Sequence, residues 1–360
     1  MNEANTGLKV GYFAAANSYN GFTSYFDKVF STKDFTRLYI LKGGPGTGKS
    51  SLMKRLSHTF SEKSSNIEEI YCSSDPHSLD GVIITYNDKR IAVIDGTAPH
   101  QRDALIPGAG DELINLGQGW ESKWLISDRD RITQLISEKS CAYKTAYFYL
   151  SIAGRVSEEI KYSSMECFSR SKAKSWAESI LPFETRNQNG TENTHLVSSF
   201  GKYGEYRLDC LPRGCKNEIK LCGKAELCQL LLHYCYKQLS EYSPEIIHFP
   251  TALDPDLTDA IYLPGSDILL RISKDGDIMA DEFFDISELH TERMKKADHI
   301  RTEALDEAKR WFAIASDIHF RIEEIYGRTM NFDIVDSITK DTENKATRFV
   351  RKLERLTIRK

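Results

Sequence analysis

The sequence lacks any apolar run long enough to cross a bilayer. Its first nine residues are polar, so we expect no signal peptide. A net charge of −4 over 360 residues argues against a general nucleic-acid coat protein. These absences predict a soluble cytoplasmic protein and favour neither nucleic acid nor a membrane as its partner.

Close cysteine pairs are also absent, although the chain contains eight cysteines. They are Cys72, Cys141, Cys167, Cys210, Cys215, Cys222, Cys228 and Cys235. A zinc or iron–sulfur site would normally show Cys-x-x-Cys, so none is expected. Without an export signal, the default is reduced thiols. Cys228 and Cys235 are seven residues apart on one helical face, which predicts buried apolar thiols.

A glycine-rich loop stands between a predicted strand and a predicted helix. The apolar run 38–41 precedes it, and apolar residues recur at helical spacing after Ser50. Strand, glycine loop and helix form the context of a Walker A motif, whose backbone N–H groups surround a phosphate. The helix N-terminus adds about half a positive charge. The predicted ATP contacts are Gly43, Gly44, Pro45, Gly46, Thr47, Gly48, Lys49, Ser50 and Ser51.

Four side chains carry the predicted chemistry of this site. Lys49 is expected to reach the β- and γ-phosphates, and Ser50 to bind Mg²⁺. The run 91–95 is an apolar strand ending in Asp95, the form of a Walker B strand whose acid also holds Mg²⁺. Asp75 is a candidate catalytic base, and Arg102, Arg129 and Arg213 are candidate charge-stabilising groups.

A glutamate directly after Asp95 is missing, and many strong ATPases place their water-activating base there. Three functions therefore stay open. The preferred one is an ATPase whose nucleotide state drives or switches a partner. The alternatives are a small-molecule or nucleotide kinase that uses Asp75 as base, and a non-catalytic nucleotide-binding switch.

An internal repeat relates the two halves of the chain. Residues 72–84 lie over 251–263, so that Asp75 and Asp80 match Asp254 and Asp259. The second copy lacks the glycine loop, the lysine and the strand-terminal acid, and Cys228-Gln229-Leu230 is expected in place of Gly48-Lys49-Ser50. Acids kept in both copies are expected to cap turns, whereas Asp95 and His100, lost with the loop, are expected to be functional.

The chain also resembles a bacterial family of tandem P-loop ATPases. The resemblance rests on residues 42–50, 72–76 and 94–100 and extends over nearly the whole chain. It implies a cytoplasmic nucleotide-binding protein with two P-loop-type domains, and no particular substrate. Members of the family often keep a phosphate loop in the second half, and this chain departs from them there.

We therefore expect an α/β protein with an internal duplication: two P-loop NTPase-like domains, each a mainly parallel sheet flanked by helices, with long helical appendages. The polar segment 182–194 places the boundary between 1–182, the nucleotide-binding domain, and 195–360, a degenerate copy serving as scaffold or substrate platform. The basic run 345–360 has helical spacing and predicts a helix docked on its own domain.

Overall fold

A computed structural model describes residues 8–62, 65–86, 89–181, 192–242 and 245–357. The sequence also predicts that strands 82–86 and 90–95 pair around a turn at Asn87-Asp88. This turn and most of the predicted boundary segment 182–194 lie outside the described ranges. Within them, no helix combines the length and apolar character needed to cross a membrane.

The secondary structure forms two successive sets of strands, each followed by long helices. The first eight strands are β1 (Lys9–Phe13), β2 (Ala15–Ser18), β3 (Gly21–Ser24), β4 (Arg37–Lys42), β5 (Asn66–Tyr71), β6 (Leu79–Tyr86), β7 (Lys89–Asp95) and β8 (Asp111–Asn115). The next eight are β9 (Glu192–Thr194), β10 (Ser198–Gly201), β11 (Gly204–Arg207), β12 (Asn217–Cys222), β13 (Ile246–Pro250), β14 (Thr258–Leu263), β15 (Ile268–Ile272) and β16 (Ile278–Met279). The helices are α1 (Phe26–Val29), α2 (Lys49–Ser61), α3 (Ser122–Ser127), α4 (Arg129–Glu166), α5 (Arg170–Ile180), α6 (Ala225–Ser240), α7 (Glu288–Arg328) and α8 (Phe332–Thr357).

The first large sheet has the strand order β1-β5-β6-β7-β4-β8. Strand β4 is parallel to β7 on one side and to β8 on the other. Strands β5, β6 and β7 are successively antiparallel, which confirms the predicted pairing of 82–86 with 90–95. The sheet is therefore mixed, and its parallel part contains the strand that leads into the glycine loop.

The second large sheet repeats this arrangement. Its order is β9-β13-β14-β15-β12-β16, and β12 is parallel to β15 and β16 as β4 is to β7 and β8. Strands β13, β14 and β15 are antiparallel in turn, like β5, β6 and β7. The α/β class is confirmed, and the shared topology is compatible with a duplicated domain.

The described residues group into two compact units that are not continuous in sequence. Unit 1 comprises the described parts of Met1–Tyr12, Phe26–Tyr143 and Phe312–Lys360. Unit 2 comprises Phe13–Tyr25 and the described parts of Lys144–Trp311. The predicted domain ranges 1–182 and 195–360 are continuous, so each contributes segments to both units.

Helices α5 and α8, which end the first and the second copy, help to explain why the two units are not continuous in sequence. Val335 and Val350 of α8 lie in the core of unit 1, with strand and helix residues of the first sheet. Ala173 and Ala177 of α5 lie in the core of unit 2, with residues of the second sheet. Burial of a valine side chain contributes about 1.5–3 kcal/mol and burial of an alanine methyl less, so these contacts help to hold each helix on the sheet of the other copy. The prediction that the basic C-terminal helix docks on its own domain, 195–360, is wrong for its described residues, because Ala346 and Val350 pack in the core of the first sheet.

Candidate functional site

The glycine loop connects β4 to α2 within unit 1, at residues 43–48. Gly48 is the N-cap of α2, with φ of 86°, and Gly46 has φ of 70°. Other residues pay about 1–2 kcal/mol for this left-handed backbone, which explains glycine at both positions. The loop thus turns back on itself and enters α2 directly, as the motif predicts.

Two side chains of the loop bond to its own carbonyl oxygens. Thr47 Oγ1 donates to the Gly44 oxygen at 2.9 Å. Lys49 Nζ donates to the Gly43 and Gly44 oxygens at 2.9 and 3.0 Å, so its side chain folds back over the loop. Only 12% of the Lys49 side chain is exposed. The ammonium group is therefore held above the loop, where it can meet an anion.

Asp95 ends β7, the parallel neighbour of β4, and lies beside the loop. Its register partner is Leu41, two residues before the loop begins. Its Oδ2 lies 3.6 Å from Lys49 Nζ, an ion pair beyond hydrogen-bond distance. Its Oδ1 accepts bonds from the N–H and the hydroxyl of Thr97, at 2.8 and 2.6 Å. These bonds fix the carboxylate and leave Oδ2 directed toward Lys49.

The predicted magnesium ligands supply a suitable set of donors. Ser50 Oγ accepts the Leu79 N–H at 2.9 Å and keeps its second lone pair. With Asp95 Oδ2 it offers two oxygen atoms, the donor type that Mg²⁺ prefers. No group of three or more His, Cys, Asp or Glu side chains capable of holding a metal occurs among the described residues.

Asp75 caps a turn, and its counterpart Asp254 caps the same turn in the second copy. The carboxylate of Asp75 accepts the His77 N–H at 3.3 Å, and that of Asp254 accepts the Asp256 N–H at 3.1 Å. In both turns the acid's own carbonyl oxygen also accepts an N–H three residues later, at 2.9 Å. This is the structural role expected of acids kept in both copies. A catalytic role for Asp75 stays a prediction.

Other predicted residues occupy different surroundings. The side chain of His100 is buried, stacks on Phe26 with centroids 3.7 Å apart, and has Nε2 3.5 Å from Asp80. Arg102 donates to Thr32 Oγ1 at 2.8 Å, whereas Arg213 is an exposed residue of unit 2 paired with Asp209. Ser51 is exposed on the first turn of α2.

The second copy connects its equivalent strand and helix without a phosphate loop. Strand β12 ends at Cys222 and α6 begins at Ala225, so only Gly223 and Lys224 lie between them. The predicted placement of Cys228-Gln229-Leu230 at the helix start is therefore wrong, because Cys228 and Leu230 lie within α6 and in the core. Lys224 is the N-cap of α6, the position that Gly48 holds in α2, and Ala225 rather than a lysine stands at the position of Lys49. Lys224 is exposed and has no loop of N–H groups around it.

The cysteines of this region behave as apolar side chains. All eight cysteines are free thiols, and Cys228 and Cys235 are buried. Burial raises the pKa of each of these two thiols to about 12. They therefore stay protonated near neutral pH, and their burial is the outcome that the helical spacing predicts.

Sequence reasoning missed three residues that touch the loop or its surroundings. Lys42 Nζ donates to the carbonyl oxygens of Gly96 and Arg102, at 2.9 and 2.6 Å, and so fixes the segment after Asp95. Trp120 packs on Gly44, where an added Cβ would meet its ring at 3.1 Å. Glu323 of α7 packs on Gly46. No local pattern marks Trp120 or Glu323, because both reach the loop through tertiary folding.

Comparison of the chain with family models, curated proteins and solved structures gives no match in any of the three. The resemblance to tandem P-loop ATPases therefore stays a prediction that rests on residues 42–50, 72–76 and 94–100.

Proposed function

We propose that unit 1 binds Mg-ATP at residues 43–51 and hydrolyses it, and that the nucleotide state drives or switches a partner. One observation carries this proposal: the loop places Lys49 Nζ over its own carbonyls, 3.6 Å from Asp95 at the end of the neighbouring parallel strand. A cation, a helix N-terminus and a carboxylate then converge on one loop. This combination suits a phosphate group carrying a magnesium ion.

Each residue has a distinct task in the proposed site. The N–H groups of the loop and the start of α2 receive phosphate oxygens, and Lys49 balances the charge of the β- and γ-phosphates. Ser50 and Asp95 hold Mg²⁺, which, when bound, neutralises charge that develops on the phosphates. Thr97 keeps Asp95 in place through its two hydrogen bonds.

The proposal assigns one nucleotide to the chain. In the second copy β12 ends in Cys222, and β15 ends in Ile272 rather than in an acid. The two-residue connection to α6 is too short to surround a phosphate in the way proposed for the six residues 43–48. Unit 2 is therefore assigned the role of scaffold or substrate platform.

Replacement of Lys49 by alanine tests the proposal. We expect Lys49→Ala to abolish binding of a non-hydrolysable ATP analogue while leaving the thermal unfolding midpoint within a few degrees of the wild type. The matched control is Lys33→Ala, an exposed lysine of the same unit, which should bind as the wild type does. Unchanged affinity in a folded Lys49→Ala protein would refute the proposal.

Phosphate release with and without nucleosides or other small acceptors distinguishes hydrolysis from transfer. Release that does not depend on an acceptor supports the ATPase. Acceptor-dependent consumption of ATP would instead support a kinase, and binding without consumption would support a switch.

A further inference from the structure

A buried contact joins the segment after β7 to the start of β6, within unit 1. The Nε2 atom of His100 lies 3.5 Å from the Oδ2 atom of Asp80, and only 4% and 13% of the two side chains are exposed. The imidazole ring also stacks on Phe26, with the ring centroids 3.7 Å apart. Polar groups buried in this way are costly without polar partners, so the contact holds the two segments together.

Asp80 stands beside the first of the two proposed magnesium ligands. It follows Leu79, whose N–H donates to Ser50 Oγ at 2.9 Å. Because β6 and β7 are antiparallel, the start of β6 lies at the same end of the sheet as Asp95, which ends β7. A fixed Asp80 therefore fixes the strand segment that orients the Ser50 hydroxyl.

His100 stands on the segment that follows the second proposed ligand, Asp95. Lys42 Nζ donates to the carbonyl oxygens of Gly96 and Arg102, at 2.9 and 2.6 Å, and so closes this segment into a loop. The Arg102 N–H donates to the Gly96 oxygen at 3.4 Å across the base of the same loop. Through His100, the closed loop is fastened to the start of β6.

The second copy keeps the acid of this contact but not the loop that carries the histidine. The connection after β15, residues 273–277, is five residues long, whereas residues 96–110 after β7 number fifteen. The acid of the second copy, Asp259, bonds instead to Gln229 Nε2 at 2.9 Å and pairs with Arg207 at 3.1 Å. The second sheet thus has the same topology without the histidine contact, which accompanies the phosphate loop.

We propose that the contact between His100 and Asp80 positions the proposed magnesium site. It fixes the start of β6, which orients Ser50, against the loop that follows Asp95, and so sets the separation of the two metal ligands. The proposal rests on the proposed function, since both ligands belong to the same nucleotide site. Mg²⁺ demands nearly ideal octahedral geometry with oxygen atoms at about 2.0–2.1 Å, so a small change in this separation weakens its binding. His100 is therefore a positioning residue, which acts through Ser50 and Asp95.

The Mg²⁺ dependence of nucleotide affinity tests the proposal without reference to hydrolysis. The measured quantity is the Kd of a non-hydrolysable ATP analogue in EDTA divided by its Kd in excess Mg²⁺. His100→Phe keeps a ring that can stack on Phe26 but loses the nitrogen atom that faces Asp80. We expect the ratio to fall by about fivefold, the effect of one hydrogen bond. The Kd in EDTA should stay within about twofold of the wild type, because Lys49 and the phosphate loop are unchanged.

Two further variants complete the test. The matched control is His58→Phe, the same substitution at a histidine of α2 whose side chain is 76% exposed, and it should leave the ratio unchanged. Asp80→Ala removes the other side of the contact and should lower the ratio by the same factor as His100→Phe. The double variant should lose no more than either single variant, because both remove one interaction. Thermal unfolding of each variant shows that it is folded.

Several results would refute the positioning role. An unchanged ratio in folded His100→Phe would do so, as would losses that add in the double variant. A Kd raised equally in EDTA and in Mg²⁺ would show a general loosening of the site instead. A larger loss in Asp80→Ala than in His100→Phe would assign Asp80 to the metal directly.

The outcomes also separate this proposal from the proposed function. If the wild type binds in a Lys49-dependent way and the variants at positions 80 and 100 keep its ratio, the positioning role is refuted and the nucleotide site stands. If the wild type has the same Kd in EDTA and in Mg²⁺, the magnesium site fails and the positioning role with it. If the wild type binds no analogue, the proposed function itself fails.

Discussion

Replacement of Asp95 by asparagine separates the charge of this side chain from its shape. The Asp95 Oδ1 atom accepts both bonds from Thr97, and the amide oxygen of asparagine can accept the same two. The fold around β7 should therefore survive. What is lost is the negative charge 3.6 Å from Lys49 Nζ, together with one oxygen ligand of the proposed Mg²⁺ site.

The size of the effect follows from this geometry. At an effective dielectric constant of about 20, two unit charges 3.6 Å apart attract by about 5 kcal/mol, most of which is offset by desolvation. Release of Lys49 from this pair favours the phosphate, whereas loss of the magnesium ligand disfavours it. We therefore expect nucleotide affinity to stay within about tenfold of the wild type. Hydrolysis should fall by about a hundredfold or more, because the metal is no longer held against the charge that develops in the reaction.

Steady-state phosphate release and analogue titration measure the two effects separately. The control is Asp103→Asn, whose carboxylate pairs with Lys42 and is 90% exposed. It should leave both quantities unchanged, since a surface pair contributes about 0–1 kcal/mol. Hydrolysis at the wild-type rate in folded Asp95→Asn would refute the assignment of Asp95. Loss of hydrolysis in Asp75→Asn alone would instead indicate that Asp75, between β5 and β6, is the acid that binds Mg²⁺.

Two further predictions concern the loop and unit 2. Gly46→Ala should abolish nucleotide binding and lower the unfolding temperature, because its Cβ would meet the Glu323 carbonyl. The control is Gly108→Ala, which has a similar φ of 74° but open space around it and should bind nucleotide normally. Equal binding by the two variants would contradict the close approach of α7. Burial, and then Lys237, lower the pKa of His233 to about 4 from its ordinary 6.5, so the unfolded chain takes up this proton first as pH falls. The contribution of His233 to the free energy of unfolding is therefore complete above pH 6.5 and is lost on acidification toward pH 4. In denaturant titrations, the free energy of unfolding of His233→Asn should depend less on pH than that of the wild type. An unchanged pH dependence would contradict this.

Much of the site could be predicted because its parts are adjacent in sequence. Gly46 and Gly48 have positive φ, which favours glycine, and Lys49 and Ser50 follow at fixed spacing. The apolar run 91–95 marks a buried strand with an acid at its end. The internal repeat also predicted that the two halves share a topology, because the same turn and hairpin occur in both copies. That comparison also separated Asp75, which has a counterpart that caps the same turn, from Asp95, which has none.

The remaining features depend on contacts between residues distant in sequence. Nothing in a local window says that α8 packs on the first sheet and α5 on the second, since an amphipathic helix fits either apolar face. The same limit hid Glu323 and Trp120, whose role depends on where α7 and the segment after β8 come to lie. The alignment of Cys228-Gln229-Leu230 with Gly48-Lys49-Ser50 was wrong for a different reason. The connection 223–224 is so short that it offers no loop against which the start of α6 could be aligned.

The stoichiometry of nucleotide binding tests the central claim most directly. Calorimetric titration of the wild-type chain with a non-hydrolysable ATP analogue in excess Mg²⁺ should give a value near one per chain, and the Lys49→Ala variant should give no measurable binding. A value near two, falling to one in Lys49→Ala, would show that the second copy has built a nucleotide site without a phosphate loop. Binding that is unaffected by Lys49→Ala would contradict the account as a whole.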